Sequence, residues 1–285
     1  MEWLDRITEV IDTIEQRLTE HLDVEDVAKS TYSSPFHFQR MFHVLTGVTV
    51  AEYIRKRRLT LAAQELVMSA DRVVDIALKY GYESPESFAK AFRKAHGISP
   101  SEARAQGAVL KAFPRISFHL ALKGDKEMDY KIVHRDAFHV IGKSIRVSYK
   151  EGENLGYIPQ FWDNCIADGM VERLRSLRPD GELLGICMDR DYDNEEFTYA
   201  VAAEADMPVS DGLVKFQIPA STWAVFAVTG ALPHAVQEIT KRIFEEWFPG
   251  TTYQHTGGPE LEVYPPGHRL SEEYEFEVWI PVIKN

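Results

Sequence analysis

The first hundred residues place their apolar side chains at helical spacing. Phe38 and Phe42 stand four apart, as do Phe88 and Phe92, so each pair buries one stripe of a helix. Each pair sits inside a longer repeat. Val24-Glu-Asp-Val-Ala28 precedes Ser34-Pro-Phe-His-Phe38-Gln-Arg40-Met-Phe42 and Gly47-Val-Thr49. Val73-Val-Asp-Ile-Ala77 precedes Ser84-Pro-Glu-Ser-Phe88-Ala-Lys90-Ala-Phe92 and Gly97-Ile-Ser99. Each copy reads as helix, turn, helix. Ser34 and Ser84 are N-cap residues with proline at the first helical position, where its missing N–H costs nothing. Between the copies, apolar residues at 50, 51, 54, 59, 62, 63 and 66 predict one long helix from Val50 to Ser69.

The pattern then changes period. Residues 105–128 lose periodicity, apart from a short strand expected within Phe113–Leu122. Beyond them a strand (Val140–Ser148) precedes a helix (Gly156–Leu177) and two strands (Leu183–Met188, Phe197–Ala203). A second round follows: strand Ser221–Thr229, helix His234–Trp247, strands Glu260–Tyr264 and Tyr274–Val282. The fold class is therefore multidomain. An all-α N-terminal domain with two helix-turn-helix motifs spans 1–110, a linker spans 111–127, and an α+β domain of duplicated βαββ units spans 128–285. The second domain should be an antiparallel sheet with its helices on one face, and two such units side by side leave a groove suited to a ligand.

Charge changes the picture of the first domain. The whole chain is acidic, with a net charge of −12. Residues 1–115 nevertheless balance 16 Lys and Arg against 16 Asp and Glu. Two basic stretches, 29–58 and 79–111, coincide with the repeats, and a polyanion meets these rather than the average. The predicted second helices expose Ser34, Phe36, Gln39 and Arg40 in the first copy. Ser84, Glu86, Ser87, Lys90 and Lys94 are their counterparts in the second. Arg55 begins a run, Arg55-Lys-Arg-Arg58, of which some members suit phosphates and at least one only solvates the helix. The plainer alternative makes Gln39 and Arg40 a solvated face and Phe36 core. A 20-residue helix is about 30 Å long, close to the roughly 34–36 Å between major-groove segments on one side of DNA. One chain can thus address two adjacent segments of double-stranded DNA.

Residues 5–105 resemble the DNA-binding domain of AraC/XylS-type activators, especially the small stress-response members. The resemblance rests on Phe36-His-Phe-Gln-Arg-Met-Phe42, Tyr53-Ile-Arg55, Arg57, Ala62, Ile76-Ala77, Gly81-Tyr82, Phe88, Phe92, Gly97 and Ser99-Pro100. It implies that the second helix of each motif enters the major groove. Tyr32 departs from the glycine usual in the first turn, and a bulky residue resists positive φ there. Residues 128–285 resemble a GyrI-like effector-binding domain through Ile218-Pro-Ala220, Ala224-Val-Phe226, Leu261-Glu-Val-Tyr-Pro265 and Phe276-Glu-Val-Trp-Ile-Pro-Val282. The two in this order form a Rob-like architecture. The second resemblance implies a pocket for hydrophobic or cationic small molecules, with a glutamate from the last strand lining it.

That glutamate is expected to be Glu277. Strand alternation sets it beside Trp279, and a carboxylate next to an indole suits a flat organic cation. A solvated edge with one exposed tryptophan is the alternative. Phe161, Trp162, Cys165 and Ile166 share a helical stripe, which is core or pocket wall. Tyr264 is placed to close the groove, and the direction of Tyr199 is left open.

The sequence thus predicts a cytoplasmic, bacterial DNA-binding regulator, an activator with RNA polymerase as a further partner and a small-molecule effector. Two alternatives concern the acidic domain: a protein-interaction module without ligand, or a small-molecule hydrolase using Glu277 with Tyr264 or Tyr199. No cofactor, metal or membrane partner is expected. Cys165 and Cys187 form no metal-binding spacing, no apolar run reaches membrane-spanning length, and no catalytic motif such as GxSxG or HExxH occurs.

Overall fold

A computed structural model describes residues 2–29, 34–105, 107–117, 127–178, 180–192, 194–209 and 212–284. Tyr32 and the second half of the segment 113–122 lie outside these. By packing, the chain divides into two units: Met1–Phe38 with Val48–Ala121, and Gln39–Gly47 with Leu122–Asn285.

The helices run in the expected order: α1 (Glu2–Gln16), α2 (Val24–Lys29), α3 (Pro35–Thr46), α4 (Val50–Met68), α5 (Val73–Lys79) and α6 (Pro85–His96). Ser34 and Ser84 cap α3 and α6, their hydroxyls accepting from the amides of His37 (3.2 Å) and Ser87 (3.1 Å). α4 is capped in the same way by Thr49, which accepts from Glu52. It buries Val50, Tyr53, Ile54, Leu59, Thr60, Ala62, Ala63 and Leu66. Leu59 to Leu66 pack with Ile76, Ala77, Phe88 and Phe92 in one cluster, so the second helix pair is built against the rod. No strand forms over residues 113–117. Instead Phe113 is bonded to α4, its carbonyl accepting from Arg57 and its amide donating to Thr60.

The second unit holds an antiparallel sheet in the order β1-β6-β9-β8-β3-β4-β2-β5, with β7 pairing β9 off this path. The strands are β1 (Tyr130–Arg135), β2 (Phe138–Ser148), β3 (Leu183–Asp191), β4 (Glu196–Glu204), β5 (Val214–Ile218), β6 (Ser221–Thr229), β7 (Tyr253–His255), β8 (Glu260–Tyr264) and β9 (Glu275–Lys284). The two βαββ rounds meet at β3 and β8, where Leu183 faces Tyr264, Gly185 faces Glu262 and Cys187 faces Glu260. β1, β5 and β7 were not anticipated. They are short, and β1 and β5 expose polar residues at the sheet's ends, so neither carries a strong alternating pattern.

The helix expected over Gly156–Leu177 is two: α7 (Asn154–Ala167) and α8 (Met170–Arg175). Between them Gly169 takes φ 75, a left-handed conformation that ends a helix and that glycine adopts without a Cβ penalty. α9 (His234–Arg242) continues through a π-helical turn to Trp247. One sheet face buries Val140, Leu184, Ile186, Trp223, Leu261 and Val263, with Trp279 packed on them. The other carries α7, α8 and α9.

Candidate functional site

Strand alternation sends Glu260, Glu262 and Tyr264 of β8 to the helix-bearing face, opposite Leu261 and Val263. There they meet Tyr199 of β4 and Trp162 of α7. Together these residues line a cavity of about 720 Å³, with apolar walls from α7 and α9, among them Ile158 and Val236. The Trp162 indole donates to the Tyr199 hydroxyl at 2.8 Å, and that hydroxyl donates to Glu262 Oε2 at 2.6 Å. Tyr264 donates to the same oxygen at 3.1 Å. Trp162 also stands edge-on to the Tyr264 ring, with centroids 5.4 Å apart. Gly185 makes this packing feasible. A Cβ there would overlap both the Glu262 carboxylate and the Tyr199 hydroxyl.

Glu262 has two phenol donors and no cation within ion-pair distance among the described residues. Burial pushes its carboxyl above the ordinary value, although both tyrosines pull it down, and neighbouring Glu260 adds to the rise. Burial next to this carboxylate also holds the Tyr199 and Tyr264 hydroxyls protonated.

Glu260 has the same strand and face but the opposite electrostatics. Arg40 grips it with two bonds, Nε to Oε1 and Nη2 to Oε2, each 3.0 Å. Arg190 reaches Oε1 at 3.1 Å, and His255 Nε2 lies 3.3 Å from that oxygen. Burial opposes charge here too, but Arg190 and Arg40 outweigh it and hold the carboxyl well below the usual range. The His255 ring accepts the Gly257 amide at Nδ1. Its Nε2 therefore carries the proton of the neutral form, and burial favours that form. Arg40 also lies 4.6 Å over the Phe244 ring.

Of the expected ligand residues, Trp162, Tyr199 and Tyr264 are thus brought together. Glu277 and Trp279 do adjoin each other, the indole donating to Glu277 Oε2 at 2.8 Å, but they do not line the cavity. The register pairs Glu277 with Val263 and Trp279 with Leu261, which places both on the face without helices. Lys131 of β1 already neutralises Glu277 at 2.8 Å. The glutamates lining the cavity are Glu260 and Glu262, of which Glu262 has no cation at ion-pair distance among the described residues, and the hydrolytic grouping of Glu277 with Tyr264 or Tyr199 is not assembled. A readable signal was present: Glu262 and Tyr264 are i, i+2 on a strand and must share a face.

The DNA-reading candidates also separate. On α6, Glu86, Ser87, Lys90 and Lys94 are all exposed, with Ser84 at the cap. On α3, Phe36 is exposed, Gln39 is half-buried, and Arg40 is only 9% exposed. Arg40 is not on a solvated face: Glu260 desolvates and pairs it. Arg55 is exposed on α4. Its neighbours are committed inside the first unit, Arg57 to Glu15 at 2.7 Å and Arg58 to the carbonyls of Leu18 and Glu20. No described helix is long and apolar enough to cross a membrane, and no group of three metal-binding side chains occurs among the described residues.

Residues 131–282 match the family described as integron-associated effector binding protein, and residues 27–106 match a helix-turn-helix domain. Over 95 residues the chain is 44% identical to the HTH-type transcriptional activator AarP of Providencia stuartii, covering 33% of this chain and 70% of that one. Over 98 residues it is 39% identical to the regulatory protein SoxS of Salmonella typhimurium, covering 34% of this chain and 92% of that one. A solved structure of a protein bound to tetraphenylphosphonium shares the fold over 55% of this chain and 94% of its own, with a TM-score of 0.50 and 23% identity.

Proposed function

We propose that this chain, which belongs to the integron-associated effector-binding family and carries an AraC-type helix-turn-helix domain, is a transcription activator controlled by a lipophilic organic cation. One observation carries the effector class: Glu262 is buried among aromatic rings, bonded to two phenols and, among the described residues, to no cation at ion-pair distance, although Arg40 and Arg190 line the same cavity. Burying a carboxylate without a cationic partner is costly, so a cation that enters the cavity recovers part of that cost. Trp162, Tyr199 and Tyr264 offer ring faces and edges to a flat or bulky aromatic ion. Tetraphenylphosphonium, held by the similar fold, has this character.

On the DNA side, Glu86, Ser87, Lys90 and Lys94 of α6, with Ser84 at its cap, face one major-groove segment. Ser34, Phe36 and Gln39 of α3 face the next, and Arg55 reaches phosphate. Affinity then falls steeply with salt, because each phosphate contact releases counterions. Activation implies contact with RNA polymerase, and a chromosomal target implies work in the cytoplasm.

The test is thermal unfolding of the full chain with tetraphenylphosphonium. A ligand at 100 times its Kd stabilises the fold by about 2.7 kcal/mol. Glu262→Gln should abolish the shift and Glu277→Gln should keep it. The reverse pattern overturns the assignment. Affinity should also rise with pH through the Glu262 titration, which lies above the ordinary 4.5, because only the ionised carboxylate attracts the cation. The sign follows from linkage: a cation binds the deprotonated form, so uptake releases a proton below that pKa and none above it.

A further inference from the structure

We infer that Glu260 is an internal competitor for Arg40, occupying in the free protein the side chain that the first helix-turn-helix would otherwise present to DNA. The inference rests on the DNA-binding reading of α3. Arg40 is the repeat counterpart of Lys90, 50 positions on, yet Lys90 is exposed and Arg40 is not. Its Nε–Nη2 edge faces two carboxylate oxygens at 3.0 Å each. A guanidinium meets paired acceptors on a guanine edge with the same two-pronged geometry, so carboxylate and base are alternative partners for one edge.

The arrangement is also built to let Arg40 go. Removing one member of a buried ion pair is normally prohibitive, because the other is left uncompensated. Here Glu260 keeps Arg190 at 3.1 Å and the His255 ring at 3.3 Å after Arg40 departs. The leaving side chain is not sealed in, since Arg40 lines the cavity. Glu262 follows on the same strand face, about 7 Å along. A cation taken up there adds positive charge close to Arg40 and Arg190 and so favours departure. Effector uptake and release of Arg40 are thereby coupled through one strand.

The experiment uses the full chain and a duplex that the wild type enriches from a random-sequence library. Glu260→Gln should bind this duplex at least tenfold tighter, with sharper base preference in one half of the site. Glu260→Gln combined with Arg40→Ala should lose that gain. Wild-type affinity in Glu260→Gln, or a gain that survives the loss of Arg40, overturns the inference. If Glu260→Gln does not fold, the Nε–H resonance of Arg40 in the wild type, assigned through Arg40→Lys, decides instead. It should move on saturation with duplex, and an unmoved resonance overturns the inference. Failure to enrich any duplex refutes the DNA-binding reading itself, and the inference falls with it. An enriched duplex indifferent to Glu260→Gln refutes only the inference.

Discussion

Helices α3 and α6 are two copies of one motif with different fates. Both begin at a capping serine followed by proline, and both bury phenylalanines four apart. Their polar faces then diverge. In α6 the side chains of Glu86, Ser87, Lys90, Arg93 and Lys94 are all in solvent. In α3 the equivalent of Lys90 is buried against Glu260. Repetition in sequence therefore reproduces the scaffold of a reading helix. Whether its long side chains are available depends on what packs beside them.

The comparison can be broken first at the shared scaffold. Phe42→Ala and Phe92→Ala should each cost about 3–5 kcal/mol, the usual loss for a large buried aromatic. Urea unfolding of the full chain measures both. A much smaller loss for one would mean that the two copies are not built alike. Next comes the divergent position. Arg40→Ala should destabilise by about 1–3 kcal/mol, because it leaves buried hydrogen-bonding capacity of Glu260 unmet. Lys90→Ala should stay within about 0.5 kcal/mol, as exposed substitutions do. Equal effects in the same melts would erase the contrast between the two helices.

The caps come third. Ser34→Ala and Ser84→Ala should each cost about 1 kcal/mol, since each hydroxyl satisfies one first-turn amide. Helical circular dichroism during the melt reports this. The smallest effect concerns binding alone. Lys90→Ala should lower the slope of log affinity against log salt by about 1 if it meets one phosphate, and leave base preference unchanged. A change in base preference with an unchanged slope would make Lys90 a base reader instead.

Much of this was readable from local spacing. Ser221–Thr229 and Glu260–Tyr264 lie where alternation puts them, and α4 ends one residue before its expected limit. The strands that alternation does not reveal are β1 and β5, largely exposed along their length, and the three-residue β7. They gain their stability from pairing rather than from their own pattern. The break at Gly169 was concealed because Asp168-Gly169 interrupts an apolar stripe that resumes at Val171 and Leu174. The cavity was legible in part. Spacing points to Trp162, Tyr199 and Tyr264, but the resemblance's last-strand glutamate and its place beside a tryptophan point to Glu277 rather than Glu262.

Sequence alone determined the periods, the turns, the duplication in each half and the balance of charge between them. These depend on neighbours within a few positions along the chain. Alternation correctly set Glu277 with Trp279, and it sets Glu262 with Tyr264. It cannot say which sheet face receives α7 and α9, because that is decided by pairing between β8 and β9 and by packing across the sheet. The state of Arg40 is further from local control still, since its carboxylate partner stands 220 residues away. Only the tertiary structure brings that charge within reach, and with it the choice between a side chain held by the protein and one offered to DNA.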